Sequence, residues 1–185
     1  MPHEHRKPSR RLDPRGPLVF DTRALGRQPG SMRGETRTVP APADLRVELV
    51  GVPEGADVEL DVRLEAVTEG VLVSGTATVP LAGECARCLD PLTSHLEAGI
   101  QELYGYHPGP GEDGEDGHYL EGDLLDLEPT LRDAVVLALP LSPLCRDDCP
   151  GLCGQCGARL AEAGPGHGHG DAVNPMWAAL RQLDN

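Results

Sequence analysis

VELDVRLEA, residues 58–66, alternates without a break. Val58, Leu60, Val62, Leu64 and Ala66 fall on one side, and acids with Arg63 fall on the other. That is the period of a β-strand with one wet face. TEG (68–70) reads as a turn, and VLVSGTATV (71–79) resumes the alternation through Val71, Val73, Gly75, Ala77 and Val79. Leu45, Val47 and Leu49 have the same spacing upstream, as do Leu96, Ala98 and Ile100 downstream, with Leu103 beyond. Four short strands in succession predict an antiparallel meander or a partly open barrel.

The pattern then changes. In EPTLRDAVVLALP (128–140), Leu131, Val135 and Leu139 sit four apart, Pro129 suits a first helical turn, and Pro140 stops the element. In NPMWAALRQL (174–183), Asn174 is a good N-cap, Pro175 follows it, and Met176, Leu180 and Leu183 share a stripe with Trp177 beside it. The expected class is therefore α+β: a meander or partly open barrel, then a helix, a zinc-bound cysteine-rich segment and a short C-terminal helix. Phe20, the only phenylalanine, lies in the apolar run of GPLVFDTRALGRQPGSM (16–32), which should dock on the body. GPGEDGEDG (109–117) offers nothing to a core and reads as a disordered acidic loop. The organisation expected is a flexible basic arm (1–16), a single α+β domain (17–160) containing that loop, and a His-containing loop with the C-terminal helix (161–185) packed on the same domain.

Hydrophobic residues make up 39% of the 185 residues and aromatics only 3%, so the core must be aliphatic. No apolar run approaches the roughly 18 residues of a membrane span. MPHEHRKPSRRLDP at the start carries basic residues with no apolar stretch after them, unlike a secretory signal. The chain thus reads as cytoplasmic, where clustered cysteines serve as metal ligands more often than as disulfides.

Charge divides the chain. Residues 1–37 hold nine Lys/Arg against four acids, a net of +5, while the remaining 148 hold seven against 26, a net of −19. A body that acidic repels phosphate, whereas a basic arm (Arg6, Lys7, Arg10, Arg11, Arg15) can reach RNA or an acidic partner.

Six cysteines fall in close sets. Cys85 and Cys88, in ECARC, are spaced to grip one edge of a tetrahedral zinc site, and Cys153 and Cys156 repeat the spacing. Cys145 and Cys149 are one residue further apart, and His167 and His169 follow in GPGHGHG (164–170). Eight candidate ligands divide into two fours: Cys85, Cys88, Cys145 and Cys149 for one zinc, and Cys153, Cys156, His167 and His169 for a second. Two other groupings stand beside this one: a single ribbon-like site from the two C-x2-C pairs, or a compact cluster of Cys145, Cys149, Cys153 and Cys156. A redox reading of C-A-R-C, with Arg87 favouring a thiolate, lacks the βαβ context of such motifs. Sites whose four ligands all come from protein are structural, and the chain has no HExxH pattern, phosphate-binding loop or nucleophile elbow. His95, His107 and His118 are isolated. The chain is expected to be no enzyme.

Laid out this way, the sequence resembles the large ribosomal RNA subunit accumulation protein family, the YceD family. PLVFDTRALGRQPGSM is similar to that family's N-terminal segment, GECARCLDPL (83–92) to its central E-C-x-R-C motif, ALPLSPLCRDDCPGLCGQCGARL (138–160) to its cysteine block, and NPMWAAL (174–180) to its closing element. Many members end the block with Cys-x-Cys about where this chain has His167-Gly168-His169, and some lack the Cys153/Cys156 pair while keeping C-x-R-C. The resemblance therefore favours the two-site grouping. It implies a ribosome-biogenesis factor supporting accumulation or maturation of the large-subunit (23S) ribosomal RNA, with a preribosomal particle or a ribosomal protein as partner. The acidic body directs the first contact to protein, with ribosomal RNA left to the basic arm. The competing expectation is a zinc-stabilised interaction module in transcription or signalling.

Overall fold

The computed structural model describes residues 12–107 and 117–169. Residues 1–11 of the basic arm, nearly all of the acidic loop and the expected helix at 174–183 lie outside them. β1 (Val19–Asp21) pairs with β7 (Leu124–Asp126) in a two-stranded ribbon. The main sheet is antiparallel and built from β2 (Met32–Pro40), β3 (Val50–Gly51), β4 (Asp57–Ala66), β5 (Gly70–Glu84) and β6 (Pro91–Gly105). β4, β5 and β6 are the expected meander. β5 is paired along one edge with all of β6 and along the other with β4 and then the short β3. The sheet stays open, since β2 pairs only with β4 and β6 only with β5 among the described residues.

Along β4 the alternation predicts burial residue by residue: Val58, Leu60, Val62, Leu64 and Ala66 are all buried. The helix α1 (Glu128–Ala138) turns Leu131 and Val135 into the same core and is followed by buried Leu139. Tyr104 of β6 locks its start, donating to the Asp126 carbonyl at 2.9 Å and sharing a 2.5 Å hydrogen bond with Thr130.

One expected strand is elsewhere. Residues 45–49 form a loop with a single bridge between Arg46 and Gly51, although Leu45 is fully buried. The strand beside β4 is instead β2, MRGETRTVP, whose only buried residue is Val39. It is an edge strand and carries little of the apolar pattern by which a strand is recognised in sequence. Its Arg33, Glu35 and Arg37 lie on the core-facing side, paired in register with Leu64, Val62 and Leu60. Arg37 lies 4.0 Å over the Phe20 ring and donates to the Val19 carbonyl at 3.1 Å. The segment around Phe20, 2% exposed, thus docks on the body as expected. The last residues of the arm, 12–16, turn against the body, with the Leu12 amide donating to Glu121 at 3.2 Å.

Candidate metal centres

The β5–β6 hairpin closes with a tight turn that carries Cys85 and Cys88. The Leu89 amide donates to the Cys85 carbonyl and the Cys85 amide to the Asp90 carbonyl, both at 2.9 Å. The same turn recurs downstream: the Gly157 amide donates to the Cys153 carbonyl and the Cys153 amide to the Ala158 carbonyl, both at 2.8 Å. In each, the residue after the second cysteine has a left-handed backbone, φ 61° at Leu89 and 72° at Gly157.

A strap, residues 139–150, leads from α1 to the first turn. The Ala86 amide donates to the Pro143 carbonyl at 2.7 Å, which brings Cys145 and Cys149 up to the hairpin. Cys85 Sγ is 3.8 Å from Cys149 Sγ, and Cys88 Sγ is 3.7 Å from Cys145 Sγ. Beyond the second turn the short helix α2 (Leu160–Ala163) folds the chain back and delivers the histidines. Cys153 Sγ is 3.2 Å from His169 Nε2, Cys156 Sγ is 3.5 Å from His167 Nε2, and the two Nε2 atoms are 3.1 Å apart.

Within each set, all four ligand atoms lie within 4.8 Å of one another. A tetrahedron of metal–thiolate bonds of about 2.3 Å has edges of about 3.75 Å, and imidazole bonds of about 2.0–2.1 Å shorten the mixed and N–N edges to about 3.3–3.6 Å. The measured separations fall near these edges, so each set could hold one metal ion, and these are the only such groups among the described residues. The eight residues named from sequence are brought together as Cys85, Cys88, Cys145 and Cys149 and as Cys153, Cys156, His167 and His169. That arrangement is the two-site grouping; neither the single ribbon nor the compact four-cysteine cluster forms.

The two centres differ in environment. Cys85, Cys88 and Cys149 are buried and form a small cluster with Leu92 and Leu144, with Cys145 exposed at its edge, whereas in the second set Cys153 and His167 are half-buried and Cys156 and His169 exposed. Backbone amides hold one thiol of each set below the usual thiol range. The Cys145 backbone amide, acting against burial, brings Cys85 down to about 6. The Gln155 amide, then that of Cys156, brings Cys153 down to about 6. The Asp90 amide draws Cys88 down too, but burial and the neighbouring thiols outweigh it and push that thiol up to about 12. A thiol pushed up in this way must give up its proton as the site takes up a cation.

Arg87 joins the two cysteine segments. Its guanidinium donates to the Cys149 carbonyl at 3.0 Å, and its own carbonyl accepts from the Leu152 amide at 3.1 Å. Gly151 passes so close that a Cβ there would lie 3.0 Å from the Arg87 carbonyl oxygen. The sequence offered Arg87 only as a thiolate promoter within a redox reading that lacked its context; in the structure its side chain bridges, and its amide is among the donors that lower Cys85. A second tie, Asp90 to Arg159 at 2.5 Å, connects the hairpin with the segment that enters α2.

A family model described as "Large ribosomal RNA subunit accumulation protein YceD" matches residues 73–184, a span that contains both centres. The chain belongs to the YceD family. Among curated proteins, the "Uncharacterized protein Rv2926c" of Mycobacterium tuberculosis is 44% identical over 171 residues, 90% of this chain and 81% of its own. The "Uncharacterized protein ML1660" of Mycobacterium leprae is 42% identical over 171 residues, 90% of this chain and 77% of its own. The "Uncharacterized protein YlbN" of Bacillus subtilis is 24% identical over 88 residues, 48% of this chain and 49% of its own. No solved structure matches the chain. No helix among the described residues is long and apolar enough to cross a membrane.

Proposed function

We propose that this YceD-family chain is a non-enzymatic ribosome-biogenesis factor that supports accumulation or maturation of large-subunit (23S) ribosomal RNA in the cytoplasm, with two structural zinc ions bracing its C-terminal half. The observation that carries the reading is the family match across both centres, whose description names large ribosomal RNA subunit accumulation. Zinc is the metal favoured by the donor sets, four thiolates in one and two thiolates with two imidazoles in the other, at tetrahedral separations. With four protein ligands at each ion, no position remains for water or substrate, which supports a structural role over a catalytic one.

The acidic body makes a basic protein of the large subunit the favoured first partner. RNA contact falls to the N-terminal arm through Arg6, Lys7, Arg10, Arg11 and Arg15. Three arginines that follow are already engaged with acids, Arg23 with Asp21 and both Arg33 and Arg37 with Glu35. Sedimentation of lysate through a sucrose gradient, with and without RNase, tests the assignment. Migration with large-subunit precursors, lost on RNase treatment, is expected. A signal confined to the top of both gradients would end the claim of stable preribosomal association.

A further inference from the structure

A groove of about 610 Å³ runs between the loop that carries residues 45–52 and the last residues of β5. Its walls are held by backbone hydrogen bonds. The Val52 amide donates to the Leu45 carbonyl at 2.8 Å, the Val47 amide to the Val50 carbonyl at 2.9 Å, and the Glu84 amide to the Leu49 carbonyl at 2.9 Å. Leu45, Val50 and Val52 are buried and anchor the loop. Where β3 pairs with β5, the backbones come so close that a Cβ at Gly83 would lie 2.2 Å from the Leu49 carbonyl oxygen. A concavity built in this way is formed before anything enters it, and its volume is that of a ligand site, about 300–1,000 Å³.

The charge of the groove is one-sided. Asp44, Glu48, Glu54 and Glu84 line it against Arg46 alone, and all five side chains are exposed. None of the five is in an ion pair among the described residues. Solvated acids cover much of this chain; these four differ in sharing one preformed concave wall, where a single sign of charge focuses the field. They are not gathered as ligands for one ion, since among the described residues only the two cysteine-containing sets are. Carboxylates spread along a wall match several cations carried on one chain. Exposed Pro53 and Ala82 between them offer apolar surface to the methylene stems of lysine and arginine. A phosphate backbone would be repelled.

We propose that this groove receives a lysine- and arginine-rich segment of a basic partner protein, with its cationic side chains set against Asp44, Glu48, Glu54 and Glu84. The inference rests on the proposed function for the partner being a basic ribosomal protein, while the preference of the groove is measured without ribosomes. Charge complementarity of this kind governs the rate of encounter and the choice of partner, and salt weakens it.

The probe is a short fluorescein-labelled peptide alternating lysine and alanine, titrated with the full-length, metal-loaded protein and followed by anisotropy at low salt. Asp44→Asn/Glu48→Gln/Glu54→Gln should weaken binding about tenfold, several exposed ion pairs being lost together. Asparagine tolerates the left-handed backbone of Asp44, φ 61°. Asp57→Asn/Glu59→Gln/Asp61→Asn removes as much charge from the exposed face of β4 and should leave the affinity nearly unchanged. No binding, or equal weakening by the two variants, would overturn the groove and leave only general acidity. Self-association of the protein abolished by the groove variant would overturn it too and assign the groove to a second copy. So would a probe that binds about tenfold tighter after Arg6→Gln/Lys7→Gln/Arg10→Gln/Arg11→Gln, which would assign it to the chain's own basic residues. Groove-dependent binding by a protein that stays at the top of both sucrose gradients would support the groove while the ribosomal assignment falls. Co-sedimentation with precursors, without groove-dependent binding, would overturn the groove alone.

Discussion

Leu89 and Gly157 occupy the same place in two copies of one turn, each with a left-handed backbone and each donating to the carbonyl of the cysteine four residues back. A left-handed backbone costs an L-residue about 1–2 kcal/mol, which glycine escapes. Leu89 bears that cost and leaves a side chain 53% exposed. Leu89→Gly should therefore raise stability by about 1 kcal/mol or less, since glycine's greater freedom in the unfolded chain offsets part of the gain. Gly157→Leu should cost about 1–2 kcal/mol through backbone strain, as nothing lies within 4 Å of its added Cβ. Denaturant midpoints of the metal-loaded proteins measure both, and equal destabilisation by the two changes would contradict the equivalence of the turns.

Arg87 reaches the Cys149 carbonyl with its side chain and holds Leu152 with its backbone. Arg87→Ala removes only the first of these bonds, so the four-cysteine centre should loosen while the Cys/His centre is spared. Partners that orient metal ligands typically affect affinity by about 10–100-fold. Competition against a chromophoric chelator should show a loss in that range confined to one of two binding steps. A uniform loss across both steps would mean that Arg87 acts through the general fold.

Phe20, 2% exposed, packs in the main core beneath the guanidinium of Arg37 of β2 and fastens the N-terminal segment to the body. Phe20→Ala should cost about 3–5 kcal/mol, the range for a buried aromatic truncated to a methyl. Arg37→Ala should cost far less, since it leaves the apolar burial in place and removes one cation–π contact and one hydrogen bond. Thermal or urea unfolding of the two variants side by side checks the ranking.

What the sequence made legible follows from burial and spacing. β4 and α1 could be read because one face of each meets the core, which imposes a period of two on Val58 to Ala66 and a spacing of four on Leu131, Val135 and Leu139. β2 could not, because an edge strand has few partners that demand apolar side chains; its Arg37 reaches over a phenylalanine instead of packing as an aliphatic residue. The regular cysteine spacing exposed the candidate ligands, and the resemblance favoured the pairing between distant segments. The ties among the segments stayed hidden. Arg87 acts through a backbone carbonyl at Cys149, and such a partner leaves no mark in side-chain identity. Asp90 and Arg159 are 69 positions apart in a chain with many other charges.

The two centres should release metal in order. Three ligands of the first are buried, Cys85 at 0%, Cys149 at 3% and Cys88 at 8% exposure, with Cys145 alone exposed, whereas none of the second set is buried. Excess chelator should strip the metal-loaded protein in two phases, the fast one belonging to Cys153, Cys156, His167 and His169. His167→Ala should abolish the fast phase and leave the slow one. Alkylation followed by mass mapping should label Cys153 and Cys156 before Cys85 and Cys149.

Loss of the first metal should open the strap rather than melt the sheet. The cluster of Cys85, Cys88 and Cys149 is separate from the main core, with half-buried Leu92 packed against both. The main core includes none of the cysteines; β4, β5, β6 and α1 build it together with the segments around Phe20, Leu45 and Leu125. The free energy of metal binding is therefore spent on residues 139–153, which have few apolar anchors besides Leu139. Cys85→Ser/Cys149→Ser should keep the far-UV signature of the strands, while trypsin gains rapid access at Arg146 and Arg159. Strand signal lost together with the metal would mean that the centre supports the whole domain, and the main core would then be too weak to stand by itself.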